Sequence, residues 1–481
     1  MLENIIPSPK KIEYAEGALQ IQPAIFTENA AWSDLLKAFK AAFEKIYKIE
    51  MPIAEGGITA LLDESLKAGA YRIECDDSLR LYAADAEGMG YALVSILNAA
   101  EIKDGKIELE KAIIEDHPDK DYRGLMVDLA RQWHPFRALL TYVDICYFTK
   151  TRYLHLHFID DQRYTLPTKL FPNLLIEGEH YTFEQIEELK AYAKARGVII
   201  IPEFEAPGHA AIFNDKYPEI FANRLENGEG GQLVTEEGAI VTARNIICPG
   251  RAEAFDAIAA LLKEIAEMFP DTPYIHIGAD EANHKAWEYC TDCKNYMQEH
   301  GIATTKELLA ETCGRLAKIV LDLGRTPIIW EGFAKEFAHY IPKETVVISW
   351  ENHYNFTRDL LADGFQIINC SWQPLYIVAN PDHRWGPRHL IDWNIHRWEH
   401  WWEHSEATLN PVCIEPTDQL LGAQVCAWEC TFEQDLTPIM EHLPVVAEHC
   451  WNNRRVLTWD EYIHRQRPTR QKLAWLVQSY E

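Results

Sequence analysis

Basic charge is what this 481-residue sequence has least of: 46 Lys and Arg stand against 74 Asp and Glu, a net charge of −28. A surface of that sign does not suit phosphate, so a nucleic-acid partner is excluded. No uncharged apolar run is long enough to span a bilayer, so no membrane partner is expected. The opening Met1-Leu2-Glu3-Asn4-Ile5-Ile6-Pro7 lacks a basic-then-apolar leader. No segment is of low complexity. The eleven cysteines are odd in number and scattered, so a disulfide framework is not expected and a reducing cytoplasm is the simplest compartment. Cys290 and Cys293 have the spacing of half a zinc site or a redox pair. Cys426 and Cys430 offer only a loose second half, so no metal is assigned.

What is present is a change of pattern. Residues 1–117 mix short β-like runs with helices such as Gly88–Ala100, predicting a small α/β domain. The charged stretch from Glu115 to Asp121 marks a boundary. Residues 118–481 then alternate strand with helix. Eight strand-like runs can be counted: Tyr122–Leu129, Tyr153–Ile159, Val198–Phe204, Tyr274–Gly278, Pro327–Trp330, Val346–Trp350, Gln366–Cys370 and Gly422–Trp428. Between them lie amphipathic stretches such as Thr182–Arg196, Ala252–Met268 and Thr305–Leu323. Eight strands with crossover helices predict a (β/α)8 TIM barrel. An open doubly wound sheet would carry a Gly-rich phosphate turn after its first strand, and there is none. No cofactor is expected.

Chemistry in such a barrel gathers at the C-terminal ends of the strands. Those ends read Asp128 and Arg131, Asp160-Asp161, Glu203 and Glu205 with His209, Asp280-Glu281, Trp330-Glu331, Trp350-Glu351, Tyr376 and Trp428-Glu429. Carboxylates accept hydrogen bonds from sugar hydroxyls, and indole faces stack on the apolar face of a sugar ring. The run Tyr274-Ile275-His276-Ile277-Gly278-Ala279-Asp280-Glu281 ends a buried strand on two adjacent acids, which suits glycosidic cleavage. An isolated Asp-Glu more often complements a helix dipole; the surrounding tips favour the carbohydrate reading.

Four motifs in order, Arg123–Arg131, His155–Gln162, Ile201–His209 and His276–Glu281, make the chain resemble the family 20 glycoside hydrolases, the β-N-acetylhexosaminidases. The resemblance implies an exo-acting enzyme that removes terminal β-linked N-acetylhexosamine from an oligosaccharide or glycoconjugate. It implies substrate-assisted catalysis, in which the substrate's own acetamido oxygen attacks its anomeric carbon. Glu281 is then the general acid and base, Asp280 holds the acetamido N–H, and Tyr376 holds the acetamido oxygen. Trp330, Trp350 and Trp428 wall the pocket, Arg123 grips hydroxyls, and His209 orients the acid with Asp160 or Glu205. In keeping with this, strand seven runs into Cys370-Ser371-Trp372-Gln373-Pro374, with no carboxylate to serve as nucleophile.

Two positions depart from the family pattern. Val378 stands where that family has Asp, and Cys430 where it has Glu. Glu429 and Asp382 are the nearby carboxylates that could contact the far side of the sugar. Two further readings therefore stay open: a substituted hexosamine or a disaccharide unit as substrate, or a sugar-binding protein without catalysis. The insert with Trp385, Trp393, Trp398, Trp401 and Trp402 reads equally as a helix over the pocket mouth or as packing on the barrel rim or a subunit interface.

Overall fold

A computed structural model describes residues 2–225, 232–234, 240–453 and 458–478. The N-terminal domain is one mixed sheet, in the order Lys11–Ile21, Lys106–Asp116, Tyr71–Cys75, Leu79–Ala83, Ile58–Leu62 and Ile25–Thr27. Burial alternates along its inner strands, as in Tyr71–Cys75 and Leu79–Ala83, the signature of a sheet covered on one face. The cover is two helices, Ser33–Tyr47 and Ala86–Ala99. The first buries Leu35, Leu36, Phe39, Ala42, Phe43 and Ile46, an apolar stripe at helical spacing.

The catalytic-sized domain is a closed parallel barrel. Its strands are Tyr122–Asp128, Tyr153–His157, Ile199–Ala206, Tyr274–Gly278, Thr326–Trp330, Val346–Ser349, Gln366–Asn369 and Leu420–Trp428. Each pairs with the next, and strand eight closes on strand one from Gly422↔Tyr122 to Ala427↔Val127. These are the eight expected runs, shifted by a residue or two at their ends. Strands one and two are buried at every position, because crossover helices cover one face and the barrel interior the other. No helix is long and apolar enough to cross a membrane among the described residues.

Two features fix where a site can lie. The segments after strands three and seven are long, and both leave from the C-terminal mouth. At the opposite end, the last helix, Trp459–Val477, docks on the N-terminal domain: Lys472 Nζ donates to the carbonyls of Asn98 (2.6 Å) and Ala100 (2.9 Å).

Candidate active site

The mouth is assembled from strand tips. Asp128, the last residue of strand one, accepts hydrogen bonds at Oδ1 from the backbone of Ala130 (3.0 Å) and Arg131 (2.9 Å). Its Oδ2 accepts from the backbone N–H of Glu429 (3.1 Å), tying the tip of strand eight to that of strand one. Arg131 is thereby aimed into the barrel mouth, where its Nε lies 2.8 Å from Asp160 Oδ2. Asp160 also faces His157 Nε2 at 3.0 Å and His209 Nδ1 at 3.5 Å. Burial works against its charge, but His157, His209 and Arg131 together hold the Asp160 carboxyl well below the usual range.

From His209 the chain of contacts reaches the acid pair. His209 Nε2 is 3.4 Å from Glu281 Oε2 and 3.8 Å from Asp280 Oδ2. Burial alone would discharge His209, yet Asp160, Glu281 and Asp280 raise it well above its ordinary value. The two neighbouring acids are driven apart. Burial, with Glu281 beside it, pushes Asp280 up to about 6, while contact with His209 lowers Glu281. Their surroundings differ accordingly: the Glu281 side chain is 46% exposed and Asp280 is nearly enclosed. Asp280 Oδ1 is buried with no hydrogen-bond partner among the described residues.

Below this layer the barrel interior is polar. Glu203 receives the indole N–H of Trp330 (2.8 Å), lies 2.7 Å from His157 Nδ1 and 3.0 Å from His155 Nε2, and is 2.8 Å from His276 Nδ1. Burial opposes a charge on His157, but Glu203 and Asp160 raise it to about 10. Glu205 is pushed far up by burial and by the neighbouring Asp280 and Glu203. Gly278 makes room for it; a Cβ there would stand 2.0 Å from Glu205 Oε2.

The backbone around the mouth carries local strain at four tips. His209, Ala279, Glu281 and Glu429 all have positive φ without being glycine. Each such residue costs on the order of 1–3 kcal/mol, and such residues cluster at functional sites.

The cavity these residues enclose holds about 310 Å³, at the small end of ligand pockets. Trp330, Trp350 and Trp428 form its aromatic wall, with Trp330 6.0 Å from Trp350 and 5.9 Å from Trp428, and Arg131 sits 4.8 Å over the Trp428 ring. Tyr376 is sandwiched between Trp372 (4.8 Å) and Trp350 (6.2 Å). Asp280, Glu281, Tyr376, Trp330, Trp350, Trp428 and Glu429 all line the cavity. Asp160 and His209 stand behind the acid pair.

Arg123 does not join them. It is the second residue of strand one, at the far end of the barrel, and is 1% exposed. Its guanidinium donates to the carbonyls of Lys150, Lys120 and Asp121 and to the Tyr91 hydroxyl, and it packs over Trp451. The arginine that reaches the pocket is Arg131, at the other end of the same motif.

Sequence reasoning also missed part of the wall. Trp372, Asn380 and His383 line the cavity, and His383 stacks on Trp401 at 3.9 Å. The tryptophan insert divides its duties: Trp393 and Trp398 are core, whereas Trp401 borders the cavity. It carries only one short helix, Pro387–Asp392, and is otherwise largely irregular. Val378 lines the cavity; Cys430 is buried beside Asp435 and points elsewhere. Glu331 and Glu351 are raised by burial to about 8 and about 9. Glu331 is spent on the backbone N–H groups of Trp350 and His353.

Comparison with known proteins places this geometry. The chain is 24% identical over 452 residues to a beta-hexosaminidase of Vibrio furnissii, covering 88% of this chain and 72% of that one. It is 29% identical over 299 residues to a beta-hexosaminidase of Akkermansia muciniphila, 59% of each. A GH20 exo beta-N-acetylglucosaminidase from Vibrio harveyi, solved with N-acetylglucosamine, has the same fold, with a TM-score of 0.81 at 21% identity over 99% of this chain and 78% of that one. A beta-N-acetylhexosaminidase from Bacteroides fragilis gives 0.78 at 20% identity over 97% and 96%. The model "Glycosyl hydrolase family 20, domain 2" matches residues 3–117, and "Glycosyl hydrolase family 20, catalytic domain" matches residues 121–473, so the chain belongs to glycosyl hydrolase family 20.

Proposed function

We propose that the chain is an exo-acting β-N-acetylhexosaminidase that hydrolyses terminal non-reducing β-linked N-acetylhexosamine by substrate-assisted catalysis. The observation that carries this reading is Asp280 Oδ1, a buried acceptor without a partner among the described residues, set beside Glu281 in an aromatic cavity sized for a single sugar unit. A donor from the ligand is what such an atom lacks, and an acetamido N–H supplies one.

In this mechanism Glu281 protonates the glycosidic oxygen while the acetamido oxygen bonds to the anomeric carbon, and the aglycone leaves as an alcohol. Asp280 faces the positive charge that develops on the acetamido nitrogen. Tyr376 holds the acetamido oxygen in line, and its ring is locked by its two indole neighbours. Glu281 then takes a proton from water, which opens the bicyclic intermediate with net retention. In the free site His209 keeps Glu281 ionised. An arriving sugar covers the exposed Glu281 carboxyl, and desolvation favours its protonated form at the moment the acid is needed. Asp160, held ionised by Arg131 and His157, supports a charge on His209 throughout.

Release of p-nitrophenol from β-GlcNAc and β-GalNAc glycosides, compared with the β-glucoside, tests the assignment. Cleavage of the glucoside at a similar rate would overturn it, because no acetamido group is then required. A substituted hexosamine remains a second reading on one observation: apolar Val378 occupies a wall where the family pattern has an acid. All eleven cysteines lack disulfide partners, which supports a reducing compartment such as the cytoplasm.

A further inference from the structure

Away from the pocket, three cysteines from two loops converge. Cys248 ends the long segment after strand three; Cys290 and Cys293 open the helix Thr291–His300 beyond strand four. All three are 0% exposed. Cys248 Sγ lies 3.6 Å from Cys290 Sγ and 3.5 Å from Cys293 Sγ, and the three sulfurs lie within 4.8 Å of one another. These separations are far beyond a disulfide bond of about 2.05 Å. They match the spacing of thiolates around one ion: sulfurs bound tetrahedrally to zinc at about 2.3 Å stand about 3.8 Å apart.

A fourth donor is in place. Asn223 Oδ1 is 3.7 Å from Cys293 Sγ, and its amide is fixed by a hydrogen bond from Nδ2 to the Ile246 carbonyl (2.8 Å). The surrounding backbone is knit as a cage. Cys248 N–H donates to Phe221 O (2.9 Å), Thr291 N–H to Arg224 O (3.2 Å), and the Trp287 indole to Ile247 O (3.1 Å). Gly250 lets the loops touch; a Cβ there would lie 2.4 Å from Asp292 O.

We propose that Cys248, Cys290 and Cys293, with Asn223 Oδ1, form a structural zinc site. Three soft sulfurs and one carbonyl oxygen suit zinc and exclude magnesium or calcium. Three sulfurs within 4.8 Å of one another, with an amide oxygen against one of them, supply four donors, and the sulfurs are closed off from solvent, as in structural rather than catalytic sites. On binding, the thiols release their protons to solvent and the ion takes their place. The site staples the segment that carries His209 to the segment that carries Asp280 and Glu281, so it fixes the relay from outside the pocket.

The test is metal content. Full-length protein expressed with added zinc and purified without chelator should hold one zinc per chain by elemental mass spectrometry. Cobalt(II) exchanged into it should show a thiolate-to-metal charge-transfer band. Cys290→Ser and Cys293→Ser should lose both signals, whereas Cys413→Ser, at the exposed cysteine, should keep them. Asn223→Ala should keep the charge-transfer band but bind zinc roughly tenfold more weakly. Should the cysteine variants fail to fold, native mass spectrometry of the unmodified chain still decides. The reduced mass plus one zinc supports the site. A metal-free chain with no cobalt–thiolate band overturns it, as does a mass about 2 Da lower from a disulfide.

Discussion

Two clusters of buried charge sit at opposite ends of the first barrel strand, and opposite forces have settled them. At the strand's start, Lys150 Nζ is 3.8 Å from Asp116 and donates to Tyr71 and Ser95 over the Trp451 ring, while two further charges, Glu448 and Arg123, pull on it in opposite directions. Burial wins there, lowering Lys150 to about 8 and raising Asp116. At the strand's end, Asp160 meets Arg131, His157 and His209 at 2.8–3.5 Å. Burial is as deep, but three counter-charges outweigh it and the group stays ionised. A joint between domains needs only satisfied hydrogen bonds, whereas a catalytic mouth needs its charges kept.

The sharpest way to break this comparison is at the acid. Glu281→Gln should cut hydrolysis of glycosides with poor leaving groups by about 10³-fold, spare much of the activity on very acidic leaving groups, and leave Tm unchanged. Equal losses on both substrate classes would remove Glu281 from the acid role.

Next comes the pair of arginines. Arg131→Ala should lower kcat/KM roughly a hundredfold and also cost stability, since it takes one of three counter-charges from buried Asp160. Arg123→Ala should cost stability alone. It strands three carbonyls at the joint, costing about 3 kcal/mol, while kcat/KM of the folded enzyme holds. Parallel calorimetry and kinetics read both, and loss of activity without destabilisation in Arg123→Ala would reverse the assignment.

Proton linkage gives a smaller, signed effect. Asp280 is raised above its unfolded value, to about 6. Ionising it therefore costs stability above that pH and costs nothing below about 4. Asp280→Asn should stabilise the fold at pH 7, lose that advantage towards pH 4, and abolish efficient catalysis. In the unaltered enzyme kcat/KM should fall as pH drops through about 6, when Asp280 gains its proton. An acid limb near pH 4 would contradict this.

The smallest change concerns the sugar's far side. Val378→Asp should shift selectivity among β-GlcNAc, β-GalNAc and 6-sulfo-β-GlcNAc substrates by several-fold, the weight of roughly one hydrogen bond. Identical specificity constants would show that Glu429 already makes that contact.

How legible these features are in the sequence depends on their range. The eight barrel strands stand out because a strand buried on both faces is a short apolar run, and Tyr274–Gly278 needs no knowledge of its partners. The acid pair is legible for the same reason, as the polar end of such a run. Arg123 and Arg131 bracket one strand, and the motif alone does not say which reaches the pocket. Strand polarity does, since Arg123 opens the strand and chemistry lies past its close. Trp372 and His383 reach the cavity from elements of three or four residues, Trp372–Leu375 and Pro381–His383, too short to show a periodicity. Cys248 lies 42 residues from Cys290, so only the folded loops bring the three sulfurs together.

The docking of the final helix carries a consequence for biosynthesis. Thr469 Oγ1 donates to Asn4 O (2.8 Å), Arg465 to Ser8 Oγ (2.5 Å) and Lys472 to Asn98 O, so residues made after the barrel seal a domain made before it. While the ribosome works through the barrel, the buried faces of Asn4, Ser8 and Asn98 wait for partners some 370–465 residues away. Closure of contacts this distant is slow, and the waiting domain is exposed to misassembly in the meantime. A nascent chain halted before Trp459 should therefore engage chaperones through its N-terminal domain, although every strand of that domain has already been made.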